Sequence, residues 1–507
     1  MGLTVLYWLT DEFTSAADLP GVYRTQKWED DPVIRPAHIV VVGGGFSGTM
    51  AAVNIARLTE HPVTITVVND RGPVGRGIAY GLRRPEYLLN VAARNMSAFP
   101  HEPDHFLDWL RTRSEFELMP EVELRERFVA RQIYGDYVRS IAQHHLQSQG
   151  GGSRAASEFV DGTAVDIEPA GTRCVVRLAD GSGIEADRVV LATGNEPPAP
   201  LPGTPELADH PAWVENPWQA WEQRLPSHDG SVVILGTGLT AVDIIITLRA
   251  LGWLGTIHAV SRHGWFPHAH FRGIEYPEFP PADVDLAGLG LEKLVTLVEE
   301  HCAKLHERNA NPAIIVDKLR PHTQRIWSGF SREDRLTFAR KHAARWNVFR
   351  HRIAPDLHAQ LASSQLTGQL RVHAASIAKL ESCEQRIQVE MADGESVQGD
   401  LVINATGPST RFTATRSTLL QNLLRRGAIA PDTTDMGAFI DADHTVLTGS
   451  GERSPWLVAL GPLLKGTYWE TIAVPELRVQ ARRVAETVLG SARTPEPDSQ
   501  LQLEYMI

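Results

Sequence analysis

The sequence predicts an α/β protein in which a strand, a glycine-rich loop, a helix and a second strand form a unit that occurs twice. The first unit begins with four consecutive β-branched residues, 39–42, a composition typical of a strand covered on both faces of a parallel sheet. A glycine-rich loop, a helical segment and a second β-branched run, 63–68, follow in that order. The same order returns about 190 residues later, at 231–260. This repeat predicts two parallel-sheet domains of the same type in one chain.

The first loop carries Gly43, Gly45 and Gly48 in the spacing G-x-G-x-x-G, directly before the predicted helix. In this fingerprint the glycines allow a tight turn, a close approach of the backbone to a pyrophosphate, and close packing of the helix on the strand. The complete unit therefore predicts a Rossmann-like dinucleotide-binding domain. Asn69 ends the second strand, where an acidic residue usually binds the ribose, and Asp70 follows it. Which of the two holds the ribose stays open.

The second loop has the spacing G-x-G-x-x-A and starts with Gly236 and Gly238. Its following strand ends in Ser261 and Arg262 rather than in an acidic residue. An acidic residue at this position favours NAD, whereas an arginine accommodates the 2′-phosphate of NADP. Ser261 can add a hydroxyl donor. The pattern predicts NADPH binding, and a solvated surface arginine is the alternative.

Two dinucleotide units suggest one resident cofactor and one that exchanges, and the obvious pair is FAD with NADPH. We therefore predict an α/β fold with two Rossmann-like domains, in which the FAD domain is split in sequence and the NADPH domain is inserted into it, with a helical insertion. The predicted boundaries are an N-terminal extension at 1–37, the FAD domain at 38–200 and 401–490, the NAD(P)H domain at 201–400 with a helical insertion at 284–365, and a C-terminal tail at 491–507.

Two further predicted strands end in the tripeptide Ala-Thr-Gly, which contains Thr193 and Gly194 in one case and Thr406 and Gly407 in the other. Small residues at the carboxyl edge of a sheet are typical of ligand-binding edges in open α/β folds. Gly461, before a helix predicted at about 469–488, is expected to present amides to a flavin. Ordinary tight turns are the alternative in each case.

Composition excludes several classes of protein. The chain has 507 residues and a net charge of −12, which argues for several domains and against a phosphate-coating nucleic-acid binder. No apolar window is long enough for a membrane span, and an N-terminal signal peptide is not expected. Cys174, Cys302 and Cys383 form no C-x-x-C pair, so no redox-active dithiol is predicted. A cytoplasmic location is the simplest expectation.

A basic stretch at 345–352 contains Arg350 and His351 beside a tryptophan. Such a cluster could clamp an anionic substrate or the phosphates of the nicotinamide cofactor, and a charged helix face is the equally reasonable alternative. We name Arg350 and His351 as candidates for substrate contact in catalysis. No metal site is predicted, because His268 and His270 have no third partner in sequence.

Several motifs resemble the bacterial FAD/NAD(P)-binding flavoprotein family related to the class B flavin monooxygenases. They are GGGFSG at 43–48, GIAY at 77–80, LNV at 89–91, ATG at 192–194, NATG at 404–407 and VPELR at 474–478. The resemblance covers about residues 38–480. That grouping includes FAD-dependent urate hydroxylases and an aspartate N-monooxygenase.

The resemblance implies a set of cofactor contacts, sorted here by the part of the cofactor concerned. Gly43, Gly45, Gly48 and Asn69 would bind the FAD pyrophosphate and ribose; Asn90 and Met96 would lie by the isoalloxazine, with Arg131 and Tyr137 near the FAD; Gly236, Gly238, Ser261 and Arg262 would hold NADPH. The linker motif F-x-G-x-x-x-H-x-x-x-W of Baeyer–Villiger enzymes is not matched by Gly203, His210 and Trp213. Ketone-to-ester chemistry is therefore disfavoured.

Taken together, these features predict an NADPH-using, FAD-dependent monooxygenase. Oxygen would be transferred through a flavin hydroperoxide to a nitrogen, or to a heteroaromatic ring such as that of urate. Its partners would be a small-molecule substrate and O2, without nucleic acid. The alternatives are an NAD(P)H-dependent flavin dehydrogenase or oxidase, and a non-catalytic flavin-binding sensor or interaction protein.

Overall fold

The computed structural model describes residues 36–70, 72–82, 84–146 and 154–490. Nearly all of the predicted N-terminal extension and the whole C-terminal tail lie outside these residues. No helix in the described ranges is both long and apolar enough to cross a membrane.

The described residues form seventeen strands. In chain order they are β1 (Ala37–Val42), β2 (Val63–Asn69), β3 (Ala155–Asp161), β4 (Ala164–Ala170), β5 (Arg173–Leu178), β6 (Gly183–Ala186), β7 (Arg188–Leu191), β8 (Trp213–Val214), β9 (Ser231–Leu235), β10 (Thr256–Ser261), β11 (Leu370–Ala374), β12 (Ile377–Cys383), β13 (Arg386–Met391), β14 (Ser396–Gly399), β15 (Leu401–Asn404), β16 (Thr445–Leu447) and β17 (Arg453–Ala459).

The same residues form fourteen α-helices. They are α1 (Phe46–Leu58), α2 (Gly77–Gly81), α3 (His105–Arg111), α4 (Glu121–Glu126), α5 (Arg131–Leu146), α6 (Leu239–Ala250), α7 (Gly290–Glu307), α8 (Ala313–Leu319), α9 (Thr323–Gly329), α10 (Arg332–Thr337), α11 (Ala343–Arg350), α12 (Pro355–Leu366), α13 (Thr418–Arg425) and α14 (Val474–Val488).

The first sheet has the strand order β16-β17-β7-β1-β2-β3, and it is parallel except for β16. In its centre Val41 faces Val67 on one side and Val190 on the other. These β-branched side chains are fully buried, as expected for a strand covered on both faces. Helices α1, α5 and α14 contribute to the core on one face, and β4–β6 with α13 contribute to the core on the other.

The second sheet has the order β11-β10-β9-β15-β8 and is wholly parallel. Strand β15 belongs to it, because Val402 pairs with Val233 of β9. The predicted boundary that begins the second part of the FAD domain at residue 401 is therefore wrong by one strand. The error arose because both Ala-Thr-Gly strands look alike in sequence, although each joins a different sheet.

The repeat is longer than the sequence suggested. Each domain continues from its glycine unit into a three-stranded antiparallel sheet, β4-β5-β6 in the first and β12-β13-β14 in the second. Each meander then leads into the strand that ends in Ala-Thr-Gly, β7 or β15. The two domains therefore have the same order of elements around the same kind of ligand-binding edge.

The helical insertion is present, but its predicted end at residue 365 lies one helix too late. Helices α7 to α9 share a separate hydrophobic core that contains Leu291, Ile315 and Trp327. Helix α12 instead packs through Leu357 and Leu361 into the core of the second sheet. A π-helical turn, Phe338–His342, lies between α10 and α11, and such turns are often found at functional sites.

The last helix begins at Val474, not at about residue 469 as predicted. Pro475 occupies its first turn, a position that proline favours because the amide there has no partner within the helix. Upstream, Trp469 and Glu470 are outside the helix, and their side chains contact residues of the helical insertion. This non-helical segment is part of the candidate site.

Candidate active site

The first glycine loop has no room for side chains at two of its glycines. Gly43 has a φ of +109°, and a Cβ placed on it would lie 2.3 Å from the carbonyl oxygen of Ala192. A Cβ on Gly48 would lie 1.8 Å from the carbonyl oxygen of Gly43. The first contact joins the loop to the Ala-Thr-Gly edge, and the second lets α1 start directly beneath the loop. Both contacts require glycine.

The N-terminus of α1 is suited to an anion. Gly45 caps the helix with extended backbone and provides no side-chain cap for its amides. A Cβ at Gly45 would meet only Gly77 Cα, at an ordinary contact distance of 3.6 Å. Uncapped amides and the helix dipole together favour a phosphate at such an end. The residues present therefore fit the pyrophosphate of a dinucleotide.

Asn69 connects the glycine loop to the next turn. Its Oδ1 accepts a hydrogen bond from the Gly44 amide at 3.0 Å, and its Nδ2 donates to the Gly72 carbonyl at 2.8 Å. The Gly75 amide donates to the Gly44 carbonyl at 2.8 Å. Asn69 thus lies at the end of β2, beside the loop, where the ribose contact was expected; the contact itself stays a prediction.

The second loop repeats this geometry. Gly236 has a φ of +115°, and a Cβ there would lie 2.4 Å from the Ala405 carbonyl oxygen. Gly238 caps α6 without a side-chain cap, and no described atom lies within 4 Å of a Cβ placed on it. The Ser261 hydroxyl is 2.8 Å from that of Thr237 and accepts from the Gly264 amide at 3.1 Å. The site therefore fits a second dinucleotide.

Arg262 follows β10 at the carboxyl edge of the second sheet. Its side chain is exposed, and it makes no ion pair with any residue in the described ranges. Thr193 and Gly194 follow β7 beside the first loop, and Thr406 and Gly407 follow β15 beside the second. The structure therefore divides the predicted cofactor residues between two equivalent edges.

Arg131, predicted to lie near the FAD, forms an ion pair between the two domains; its contact with the flavin stays a prediction. Its Nη1 and Nη2 donate to the two carboxylate oxygens of Asp243 at 2.7 and 3.1 Å, and its Nε donates to the Leu88 carbonyl at 2.9 Å. Burial raises the pKa of Asp243, and Arg131 opposes that rise. The guanidinium therefore joins α5 of the first domain to α6 of the second.

Three other predicted flavin contacts belong to the protein framework. The Tyr137 hydroxyl accepts from the Ala98 amide at 3.1 Å and lies 2.7 Å from His105 Nδ1, and its ring is fully buried. Met96 is only 2% exposed in the same core. The amide of Gly461, which was expected to face a flavin, donates to Gln480 Oε1 at 2.8 Å. These contacts stabilise the first domain, and the predicted proximity of the three residues to the flavin stays a prediction.

The side-chain amide of Asn90 is available to a ligand. Its backbone carbonyl lies 2.8 Å from His270 Nε2, but its side-chain amide makes no hydrogen bond within the part of the chain that the structure describes. Burial lowers the pKa of His270 to about 4, so the ring is neutral at neutral pH and donates to this carbonyl. Its contact with the flavin remains a prediction.

The two candidate catalytic residues lie where the helical insertion meets the segment before α14. Arg350 Nη2 is 3.2 Å from Glu470 Oε2 and 3.4 Å from Glu476 Oε1. Trp346 Nε1 donates to Glu470 Oε1 at 2.9 Å. Burial favours a higher pKa for Glu470, but the charge of Arg350 and the hydrogen bond from Trp346 oppose it, and the pKa lies below its ordinary value. The carboxylate is therefore ionised and positions Arg350.

His351 and Lys465 belong to the same charged cluster as Arg350, Glu470 and Glu476. Burial lowers the pKa of His351 to about 4, and Arg350 adds to the effect. Burial also lowers the pKa of Lys465, whose Nζ lies 5.4 Å from the ring centre of Trp469. Sequence reasoning did not identify Lys465 or Glu470 as functional, because neither belongs to a motif.

Helix α14 connects this cluster to the first dinucleotide site. Glu476 faces Arg350 and Arg320, and Arg478 Nη1 donates to the Ser97 carbonyl at 2.9 Å. Both residues are in the VPELR motif at 474–478, so a signal was present in the sequence although no role was assigned to them. One turn after Glu476, the side chain of Gln480 accepts a hydrogen bond from the amide of Gly461.

Comparison with known proteins agrees with this geometry. Residues 40–196 match a family model described as FAD-NAD(P)-binding. A comparison with curated protein sequences gave no significant match. The solved structures that resemble the chain include three N-hydroxylating enzymes or amine monooxygenases at low sequence identity.

Each of these structures aligns over most of both chains. The ornithine N-hydroxylase from Kutzneria sp. 744 has a TM-score of 0.62 at 15% identity and covers 89% of this chain and 99% of its own. The desferrioxamine-pathway cadaverine monooxygenase from Erwinia amylovora has a TM-score of 0.61 at 13% identity, covering 89% and 94%. The L-lysine 6-monooxygenase from Pseudomonas syringae has a TM-score of 0.57 at 17% identity, covering 90% and 99%.

These findings confirm the predicted resemblance to FAD/NAD(P)-binding proteins and the two-domain α/β fold. Residues 40–196 thus resemble FAD-NAD(P)-binding domains, and the chain shares its fold with ornithine, cadaverine and lysine monooxygenases.

Proposed function

We propose that the protein is an FAD-dependent, NADPH-using monooxygenase that hydroxylates a small molecule. The main support is the pair of equivalent glycine loops, each with an uncapped helix N-terminus, in two adjoining domains. The Arg131–Asp243 ion pair joins these domains. Hydroxylation of nitrogen is favoured over ring hydroxylation, because the structures with the same fold include ornithine, lysine and cadaverine hydroxylases.

FAD, when bound, accepts a hydride from NADPH and delivers electrons to oxygen. The N-terminus of α1 would hold its pyrophosphate, and Asn69 would hold its ribose. The N-terminus of α6, Ser261 and Arg262 would hold NADPH, with the arginine at the 2′-phosphate.

The chain's own residues would then shape the site around the reacting atoms. Arg350 is oriented by two glutamates, and the neutral ring of His351 can exchange hydrogen bonds with a substrate without adding charge. Aromatic side chains of the insertion, including Trp327 and Phe338, pack against Trp469 and would exclude water from this side.

The test begins with the FAD-loaded protein and NADPH without oxygen, followed by oxygen with a panel of amino acids, small amines and urate. The expected result is flavin reduction by NADPH and a hydroxylated product that matches the NADPH consumed, measured by mass spectrometry. Hydrogen peroxide equal to the NADPH consumed, with every compound of the panel, would favour an oxidase. Failure of NADPH and NADH to reduce the flavin would favour a non-catalytic flavoprotein.

The nicotinamide preference has its own test. Arg262→Ala is expected to raise the KM for NADPH by at least about tenfold, because a charge-assisted contact with the 2′-phosphate would be lost. The KM for NADH should change little. Arg371→Ala, which removes an exposed arginine on the adjoining strand β11, is the matched control. Equal losses with NADPH and NADH would contradict the assignment of Arg262.

A further inference from the structure

We propose that the side-chain amide of Gln480 donates a hydrogen bond to the ribityl chain of FAD, the polyol that joins the pyrophosphate to the flavin ring. The inference rests on the proposed function only in requiring FAD at the first glycine loop. It adds a cofactor-binding residue that no sequence motif marks and that belongs to the last helix, α14.

Gln480 lies beside the carboxyl edge of the first sheet. Its Oε1 accepts a hydrogen bond from the amide of Gly461 at 2.8 Å, and Gly461 begins the 3₁₀-helix Gly461–Leu464 that follows β17. A Cβ placed on Gly461 would lie 3.6 Å from the hydroxyl oxygen of Ser47, in the first turn of α1. Gln480 therefore reaches the edge that carries the glycine loop and the N-terminus of α1.

The side chain of Gln480 has one hydrogen-bonding group left. It is only 5% exposed, and its Nε2 makes no hydrogen bond with any residue in the described ranges. The amide of Gly461 can only donate, so Oε1 must face it and the orientation of the side-chain amide is fixed. The remaining group is an NH2 donor, and a buried donor without an acceptor is costly. A ligand with acceptor oxygens would remove that cost.

Nearby acceptors in the described part of the chain do not fill this role. Glu476, one turn before Gln480 on α14, contacts Arg320 and Arg350 instead. The hydroxyl of Ser47 lies close to Gly461, but no hydrogen bond joins it to Gln480. The acceptor that Nε2 requires is therefore expected from a bound molecule.

The edge after β17 offers such a molecule no backbone donor in the first two residues of the 3₁₀-helix. The amide of Gly461 is engaged by Gln480, and Pro462 has no amide hydrogen. From sequence, the Gly461 amide was expected to face the flavin. The side-chain amide of Gln480 takes its place, because it accepts from Gly461 and keeps Nε2 as the donor.

The order of the strands indicates which part of FAD meets Gln480. The pyrophosphate is assigned to the N-terminus of α1, after β1, and the ribose of the adenosine half to the end of β2. Strand β2 lies on one side of β1, whereas β7 and β17 lie on the other. The flavin half must therefore extend towards β7 and β17. Its part next to the pyrophosphate is the ribityl chain, whose hydroxyl oxygens accept hydrogen bonds.

The test measures the binding of FAD and of three FAD analogues to the apoprotein by flavin fluorescence, without NADPH. Each analogue lacks one ribityl hydroxyl group. The wild-type protein is expected to bind one analogue at least about fivefold more weakly than FAD, because the buried Nε2 loses its acceptor. Gln480→Met, whose side chain has a similar length and no amide, should bind FAD at least about fivefold more weakly and should not distinguish that analogue from FAD.

Gln143→Met, at an exposed position of α5, is the matched control and should keep the wild-type Kd values. The apparent Tm establishes that each variant is folded. If Gln480→Met is not, Gln480→Glu is used above neutral pH, because its carboxylate can still accept from Gly461 and cannot donate.

Two outcomes would overturn the proposal: equal binding of FAD and all three analogues by the wild-type protein, or unchanged discrimination among them by the Gln480 variant. Because the readout is FAD binding alone, a failure to oxygenate any substrate would count against the proposed function and not against Gln480. Failure of the wild-type protein to bind FAD would contradict both.

Discussion

Gly43 and Gly236 occupy equivalent places in the two domains, and the same contact constrains both. In each case a Cβ would collide with the carbonyl oxygen of the alanine in the neighbouring Ala-Thr-Gly turn. Their positive φ angles add a second reason for glycine. Gly45 and Gly238 differ, because both have extended backbone and space around the missing Cβ. Folding requires the first pair, and the approach of a ligand explains the second pair.

This difference predicts that alanine at Gly45 and alanine at Gly238 each weaken the binding of a different cofactor. Gly45→Ala and Gly238→Ala should both fold, since neither new methyl group meets a close protein atom. Gly45→Ala should weaken FAD binding at least about tenfold and spare NADPH, because the methyl group blocks the approach of one pyrophosphate. Gly238→Ala should do the reverse. FAD retention and NADPH titrations check both expectations.

Two further variants are the controls for this experiment. Gly81→Ala, at an exposed position with no protein atom within 4 Å of the new Cβ, should change neither affinity. Gly48→Ala should prevent proper folding of the first domain, because its methyl group would lie 1.8 Å from the Gly43 carbonyl oxygen. Equal effects of Gly45→Ala and Gly238→Ala on both cofactors would contradict the assignment of one loop to each.

At the scale of elements, α5 and α6 show how one ion pair joins two domains. Asp243 is in the first turns of α6, one turn beyond the Gly238 cap, and Arg131 is the first residue of α5. Both side chains are largely buried, and the bidentate geometry uses the planar guanidinium well. The pair therefore couples the NADPH-binding helix to the first domain.

Replacing only one partner of the Arg131–Asp243 pair should lower the free energy of unfolding. Arg131→Met leaves the Asp243 carboxylate buried without its cation, and removal of one partner of a buried pair costs about 3–5 kcal/mol. Arg131→Met with Asp243→Leu should cost clearly less than the sum of the two single variants. Denaturant unfolding of the four proteins measures the coupling. Additive losses would show that the pair contributes no coupling between the helices.

At the scale of the whole molecule, several buried or half-buried histidines are neutral at neutral pH. Burial lowers the pKa values of His145, His258, His270, His351 and His444 to about 4. In the unfolded chain these rings take up a proton near their ordinary pKa of 6.5. Stability that depends on the neutral ring is therefore present above pH 6.5 and is lost as the pH falls towards 4.

His444 offers a direct test, because it is 6% exposed and burial, aided by Arg483, lowers its pKa. The shift from 6.5 to about 4 corresponds to about 3 kcal/mol of stability lost between pH 7 and pH 4. His444→Asn, which suits the positive φ of 69° at this position, should reduce the fall in apparent Tm over that range. His61→Asn, at an exposed site, is the control. An unchanged pH profile for His444→Asn would contradict this account.

Prediction from sequence succeeded where the chemistry is local. The glycine loops, the strands that flank them and the residues after β2 and β10 lie within about 30 residues of one another. Tight turns and helix N-termini leave strong local signatures there. The prediction failed at β15, since its Ala-Thr-Gly ending is shared with β7. It also missed the protein partners of Arg131 and Gly461, which no local pattern reveals.

By itself, the sequence determined the two dinucleotide-binding units, because the close approach of backbone to phosphate requires glycines at set intervals. Only the tertiary structure decided which sheet each strand joins and which charges meet. Arg131 pairs with Asp243 across 112 residues, and Arg350 meets Glu476 across 126. Such contacts depend on how distant segments pack, and packing is a property of the whole fold.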